Sequence, residues 1–197
     1  MSPVLHRLGV LAIALAALVL ALALSPPAHA LKLLSASGDP QIPRFQSWVD
    51  SSAMPTPTLS LYVVLESCPV AVSDGCLVGA PQATVYLGSF VQDRPTVLHE
   101  VGHAFDATAM TDADRAAFQA IFRDTRPWRS PPNSPHERFA EAYSLCARHP
   151  RIRRAYTGAY GYRVTPRRHR RVCALIQRAG SAATSAAVAA PTLGGWE

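Results

Sequence analysis

The chain has 197 residues, 49% of them hydrophobic and 16% charged, with a formal net charge of +6. That is room for one domain with its own core and excludes two comfortable ones. The 4 cysteines contain no Cys-X-X-Cys spacing, which excludes a thioredoxin-type redox centre and a thiolate zinc site.

Residues 1–30 read as a secretory signal peptide. Arg7 precedes an unbroken apolar run from Leu8 to Leu24, and Ala28-His29-Ala30 supplies a small-residue cleavage site. The alternative is a retained anchor, although the run is shorter than the ~20 residues of a membrane span. The predicted product is therefore secreted and extracellular, begins at residue 31, and carries no transmembrane span. In that compartment an even number of cysteines favours two disulfides.

In chain order, residues 31–39 are expected to be loose. Phe45, Trp48 and Val49 fall at i, i+3, i+4 and predict a helix over 43–54. Residues 59–66 and 83–87 read as strands, with a turn at Ser73-Asp74-Gly75 between them. Asp93 is placed to cap a helix from Arg94 to about Met110, and Thr111 with Asp114 to open another through about Arg123. A proline-rich loop over 126–132 leads to a helix from Ser134 to about His149, and a last helix runs from Pro166 to about Arg178. The Ala/Ser/Thr/Gly-rich tail, 179–197, is expected to be disordered. These elements make one α+β domain over 31–178. Cys68 should pair with Cys76 across the turn, and Cys146 with Cys173 between the last two helices.

The chemistry concentrates in His99-Glu100-Val101-Gly102-His103. Two His at i and i+4 share a helix face and can share one cation, with the intervening Glu in reach of a water. At 100° per residue, with His99 at about 0°, His103 lies near ~40° and Asp106 near ~340°, whereas Val97, Val101, Ala104 and Phe105 cluster opposite. The two His therefore face away from the buried stripe. A catalytic zinc needs a third protein ligand, and the best downstream donor is Glu137, with Glu141 one turn on. Glu137 can instead complete a capping box with Ser134, and Glu141 can be a solvated partner.

HEVGHAFD followed by ERFAEAY resembles the catalytic domain of the anthrax toxin lethal factor-like zinc peptidases, which include the secreted Pro-Pro endopeptidases. The resemblance spans about residues 84–147. It implies a zincin-like α+β fold, with a short sheet packed on the first-motif helix and the 83–87 strand as the sheet edge beside the cleft. It implies Zn2+ held by His99, His103 and Glu137, Glu100 as general base, Asp106 and Glu141 as supporting carboxylates, and a protein or peptide substrate. Where that family carries a catalytic Tyr, seven residues before the Glu ligand, this chain has Ser130. The group that stabilises the oxyanion is left open among Tyr156, Tyr160, Tyr162 and His169.

Charge is unevenly placed. Residues 31–147 hold 8 Lys/Arg against 12 Asp/Glu, while 148–178 hold 10 Arg and no acid. The Arg-rich block could contact a polyanion or lie against the chain's own acids. Two further readings stand beside the peptidase. One is a degenerate zincin that binds without cleaving, the other a basic extracellular binding protein.

Overall fold

The computed structural model describes residues 31–35, 37–69, 75–79, 83–88 and 92–189. Residues 1–30, expected as a signal peptide, the Ser73-Asp74 part of the turn and residues 190–197 lie outside the described residues. Among those described, the chain is mixed α+β, with five helices, a four-stranded sheet and a two-stranded hairpin.

Strand β1 (Lys32–Ser35) pairs in parallel with β2 (Ser60–Val64), and β2 in parallel with β4 (Thr84–Leu87). Strand β3 (Gly75–Val78) closes the other side, antiparallel to β4, so the order is β1-β2-β4-β3. Two expectations are corrected here. Residues 31–35 are not loose: Leu31 and Leu33 are buried. Gln46 of helix α1 (Ile42–Asp50) accepts from the Leu33 amide at 2.8 Å and donates to the Leu31 carbonyl at 3.1 Å, satisfying the strand's open edge. The edge strand beside the cleft is β3, whereas the 83–87 segment is interior. Val85 and Leu87 are buried, as a strand with neighbours on both sides allows.

Helix α2 (Arg94–Ala109) starts where Asp93 accepts from the Thr96 amide at 2.9 Å. Helix α3 (Asp112–Phe122) opens on the full Thr111–Asp114 capping box, and α4 (Pro135–Arg148) on Ser134, whose hydroxyl accepts from the Glu137 amide at 3.2 Å. That cap uses only the Glu137 backbone and leaves its carboxylate free. The hairpin β5 (Tyr156–Thr157) and β6 (Arg163–Val164) precedes α5 (Pro166–Ala189). The last helix passes well beyond Arg178, which corrects the expectation of disorder over 179–189. Alanine is the strongest helix former, and Ala179 and Gly180 are buried against the body of the protein. No helix among the described residues is long and apolar enough to cross a membrane.

Both disulfides form as expected, Cys68–Cys76 and Cys146–Cys173. The second joins α4 to α5. An aromatic cluster of Phe105, Phe118, Phe139 and Trp128 fills the space among α2, α3, α4 and the proline-rich loop, with ring centroids 5.4–6.4 Å from Phe139.

Helices α2 and α4 approach through Gly102. A Cβ there would sit 3.0 Å from both the Ala140 Cα and the Tyr143 Cβ. Ser144 fixes the register by donating to the Pro95 carbonyl at 2.7 Å. Gly102→Ala would gain about 1 kcal/mol of helix propensity but cost about 1–3 kcal/mol of overpacking against backbone. The expected outcome is a net loss of stability of up to ~2 kcal/mol in urea denaturation, together with weaker metal binding. A stabilised variant would show that the helices do not meet as described.

Candidate metal centre

The α2–α4 contact brings His99, His103 and Glu137 into one cluster, with a donor atom of each within 4.8 Å of the others. Glu137 Oε2 lies 3.2 Å from His99 Nε2 and 3.3 Å from His103 Nε2. Both His are buried, which departs from the outward face that helical arithmetic gave them. Helix α4 covers that face, so α2 is buried along both sides from Val97 to Asp106.

Each imidazole is held from behind. His99 turns Nδ1 toward Glu141 Oε2 at 3.8 Å, an ion-pair distance too long for a hydrogen bond. The other Glu141 oxygen accepts from the Tyr156 hydroxyl at 3.0 Å. The His136 ring stacks on His103 with centroids 4.2 Å apart, bringing Nε2 to 3.1 Å from His103 Nδ1. Asp106 does not touch His103. It accepts from Arg115 Nε at 2.8 Å and Trp128 Nε1 at 3.1 Å, and lies 3.4 Å from His136. Its support for a ligand therefore passes through His136, a residue the sequence reading assigned no role.

Glu100 is buried beside the cluster, and its Oε2 has no hydrogen-bond partner. Burial, with the nearby Glu137 charge, pushes its carboxyl up to about 7, against an opposing pull from His99. A cleft of about 690 Å³ opens over these groups, lined by the edge-strand residues Gly75, Cys76 and Leu77 and also by Arg129 and Tyr160. An ideal Cβ on Gly75 would sit 3.1 Å from Glu100 Oε1, which measures how closely strand β3 abuts that carboxylate.

The other sequence candidates lie elsewhere. Ser130 donates to the Pro127 carbonyl within its own loop. Tyr162 and His169 are buried away from the cleft, His169 bonding the His149 carbonyl at 2.6 Å. His169 also lies near Cys146 and Cys173, a second grouping of metal-donor types, but there the two sulfurs are bonded to each other. Among the described residues the free donor set is therefore His99, His103 and Glu137.

Family models, curated proteins and solved structures contain no match to this chain.

Burial and three imidazoles act oppositely on Glu137, and the imidazoles win, holding it well below the usual carboxylate range. Burial disfavours charge on His99 too, but Glu137, Glu141 and Glu100 together raise it to about 9. Burial and the neighbouring His99 and His136 lower His103 to about 4. Without metal, one proton therefore sits on His99 at neutral pH, and a cation must displace it. Between pH 7 and 9, binding of a divalent ion should release about one proton per chain, and affinity should fall about tenfold for each unit the pH drops. Calorimetry in buffers of different ionisation enthalpy reads this release. Heats independent of the buffer would rule out the proton exchange.

Proposed function

We propose that the protein is a secreted zinc metalloendopeptidase of the lethal factor-like type, built on a zincin-like domain. One observation carries this reading. Two imidazole nitrogens stand 3.2 and 3.3 Å from one carboxylate oxygen, with the bare Glu100 oxygen buried alongside. Donors bonded at about 2.0–2.1 Å to a tetrahedral zinc stand about 3.3 Å apart, so His99, His103 and Glu137 fit this ion and leave a fourth position open. The two disulfides suit an oxidising compartment outside the cytosol.

A zinc ion held there supplies a Lewis acid for the scissile carbonyl and an acidified water. The chain's own groups do the rest. Strand β3 is the last strand in the sheet order and lines the cleft, and an extended peptide can add beside it as a further strand held by main-chain hydrogen bonds. Glu100 accepts the proton of the attacking water as the new C–O bond forms, and returns it to the amine as the C–N bond breaks. Its depth suits that role, since a carboxylate unsolvated by bulk water and near neutrality can both take and give a proton.

Glu100→Gln keeps the shape and removes the base. It should fold as the parent does, hold one zinc per chain, and lose at least ~10²-fold in peptide hydrolysis. Equal cleavage by both proteins would exclude Glu100 as the base. A parent with full zinc and no chelator-sensitive hydrolysis would favour a degenerate zincin instead.

The Arg-rich block supports a second, separate activity. Of the ten arginines in 148–178, all but Arg148 are exposed, and none of the exposed ones forms an ion pair among the described residues. They are therefore not consumed by the chain's own acids. Retention on a polyanion resin should persist after zinc is stripped and collapse with added salt. Retention that disappears with the metal would count against the block as the contact.

A further inference from the structure

The proposed reaction leaves one charge unattended, the oxyanion that develops on the carbonyl as water attacks. Ser130 cannot meet it, because its hydroxyl is turned into its own loop. Among the uncharged side chains of the cleft wall, Tyr160 combines several features that the others do not combine.

Its ring stacks on His99, centroids 5.1 Å apart and planes 29° from parallel, so it packs against one imidazole of the donor cluster. It is also the one large apolar side chain exposed among the described residues, at 38%. Its backbone sits in the left-handed region at φ 52°, an outlier for a bulky residue that persists only when the surroundings hold it. Those surroundings are built. The Gly158 amide donates to the Tyr162 carbonyl and the Tyr162 amide to the Ala159 carbonyl, both at 2.9 Å, which closes the turn around residue 160. Gly158 is pressed on Glu141, where a Cβ would come within 2.2 Å of Oε1, and Tyr156 of the same hairpin bonds that oxygen. The hairpin that carries Tyr160 is thus seated on the carboxylate that backs His99. The ring thus stands in the cleft beside His99, and a phenol is a neutral donor of the kind a developing oxyanion needs.

We propose that Tyr160 is a catalytic residue that donates its phenolic hydrogen bond to the scissile carbonyl oxygen as that oxygen becomes negative. This rests on the peptidase reading. No bond to Tyr160 forms, and the hydrogen stays on the phenol while the oxyanion gathers and disperses.

Tyr160→Phe keeps the ring and its stacking and removes only the hydroxyl, so a packing role would survive it. In the zinc-loaded full chain the variant should hold one zinc, keep KM within about twofold, and lose ~10²–10³-fold in kcat. A peptide phosphonate, which carries the tetrahedral anion, should bind the variant at least ~10-fold more weakly than the parent. Arg129→Met, which removes a cation of the cleft lining, should leave kcat near the parent's. Parental kcat in Tyr160→Phe, or a loss that falls on Arg129→Met instead, overturns the proposal. If the parent does not hydrolyse peptides at all, the peptidase reading fails by itself, and phosphonate binding still decides on Tyr160. Equal binding by parent and variant, or none by either, overturns it.

Discussion

Helix α2 meets helix α4 through a residue with no side chain, and the metal-donor cluster depends on that closeness. Gly102 lies between His99 and His103 in sequence and faces Ala140 and Tyr143, which lie on either side of Glu141. The helix of the two His and the helix that supplies the carboxylate are thus in close contact within one turn of these groups. A larger residue at 102 would separate the axes and with them the donor spacings of 3.2 and 3.3 Å, on which the fit of any shared metal ion would depend. Packing and coordination are here one constraint, in which the steric fit of two apolar surfaces sets the distance between polar groups on their rims.

From that contact two lines of polar support run outward in opposite directions. His99 is backed by Glu141, which is backed by Tyr156 on the hairpin. His103 is backed by His136, which is backed by Asp106 with Arg115 and Trp128 beyond it. The asymmetry has an electrostatic result. A carboxylate behind His99 favours charge on it, while at His103 burial, with His99 and His136 beside it, disfavours charge. The metal-free cluster therefore stores its proton on one imidazole and keeps the other ready as a donor. Outer partners of this kind orient a ligand ring and tune its basicity.

What was legible in the sequence was local. Asp93, the Thr111–Asp114 box and Ser134 each mark a helix start by chemistry within three residues, and all three starts are found there. The same short-range spacing selects His99, Glu100 and His103, and the fold brings Glu137, the downstream donor, to them. Strand order was not legible, because it depends on pairing between distant segments. Nothing in the sequence of 83–87 says that 75–78 will cover its outer edge. The burial of the two His escaped helical arithmetic for the same reason, since one helix's pattern does not include the helix laid over it. His136 was passed over as the neighbour of a ligand, yet its place at the start of α4 puts it against His103. Tyr160 had one available signal, an aromatic residue between Gly158 and Gly161, which marks a tight turn with something to present.

The segment that contains this turn is also the most basic in the chain, and its two properties are kept on different faces. Tyr162, Val164 and His169 point inward and are buried, whereas Arg163, Arg167 and Arg171 are exposed. The Cys146–Cys173 disulfide clamps the segment at both ends, joining α4, which carries Glu137, to α5, which carries much of the charge. Such a clamp restricts how far the hairpin can swing from Glu141, since both of its chain ends are tied to one buried point. A basic surface that engages a polyanion would then bear on a rigid frame, with Tyr160 facing the cleft and the guanidinium groups facing solvent. Charge attraction and the proposed hydrolysis can in this way occupy one stretch of chain without the arginines entering the donor cluster, where extra positive charge would oppose a cation.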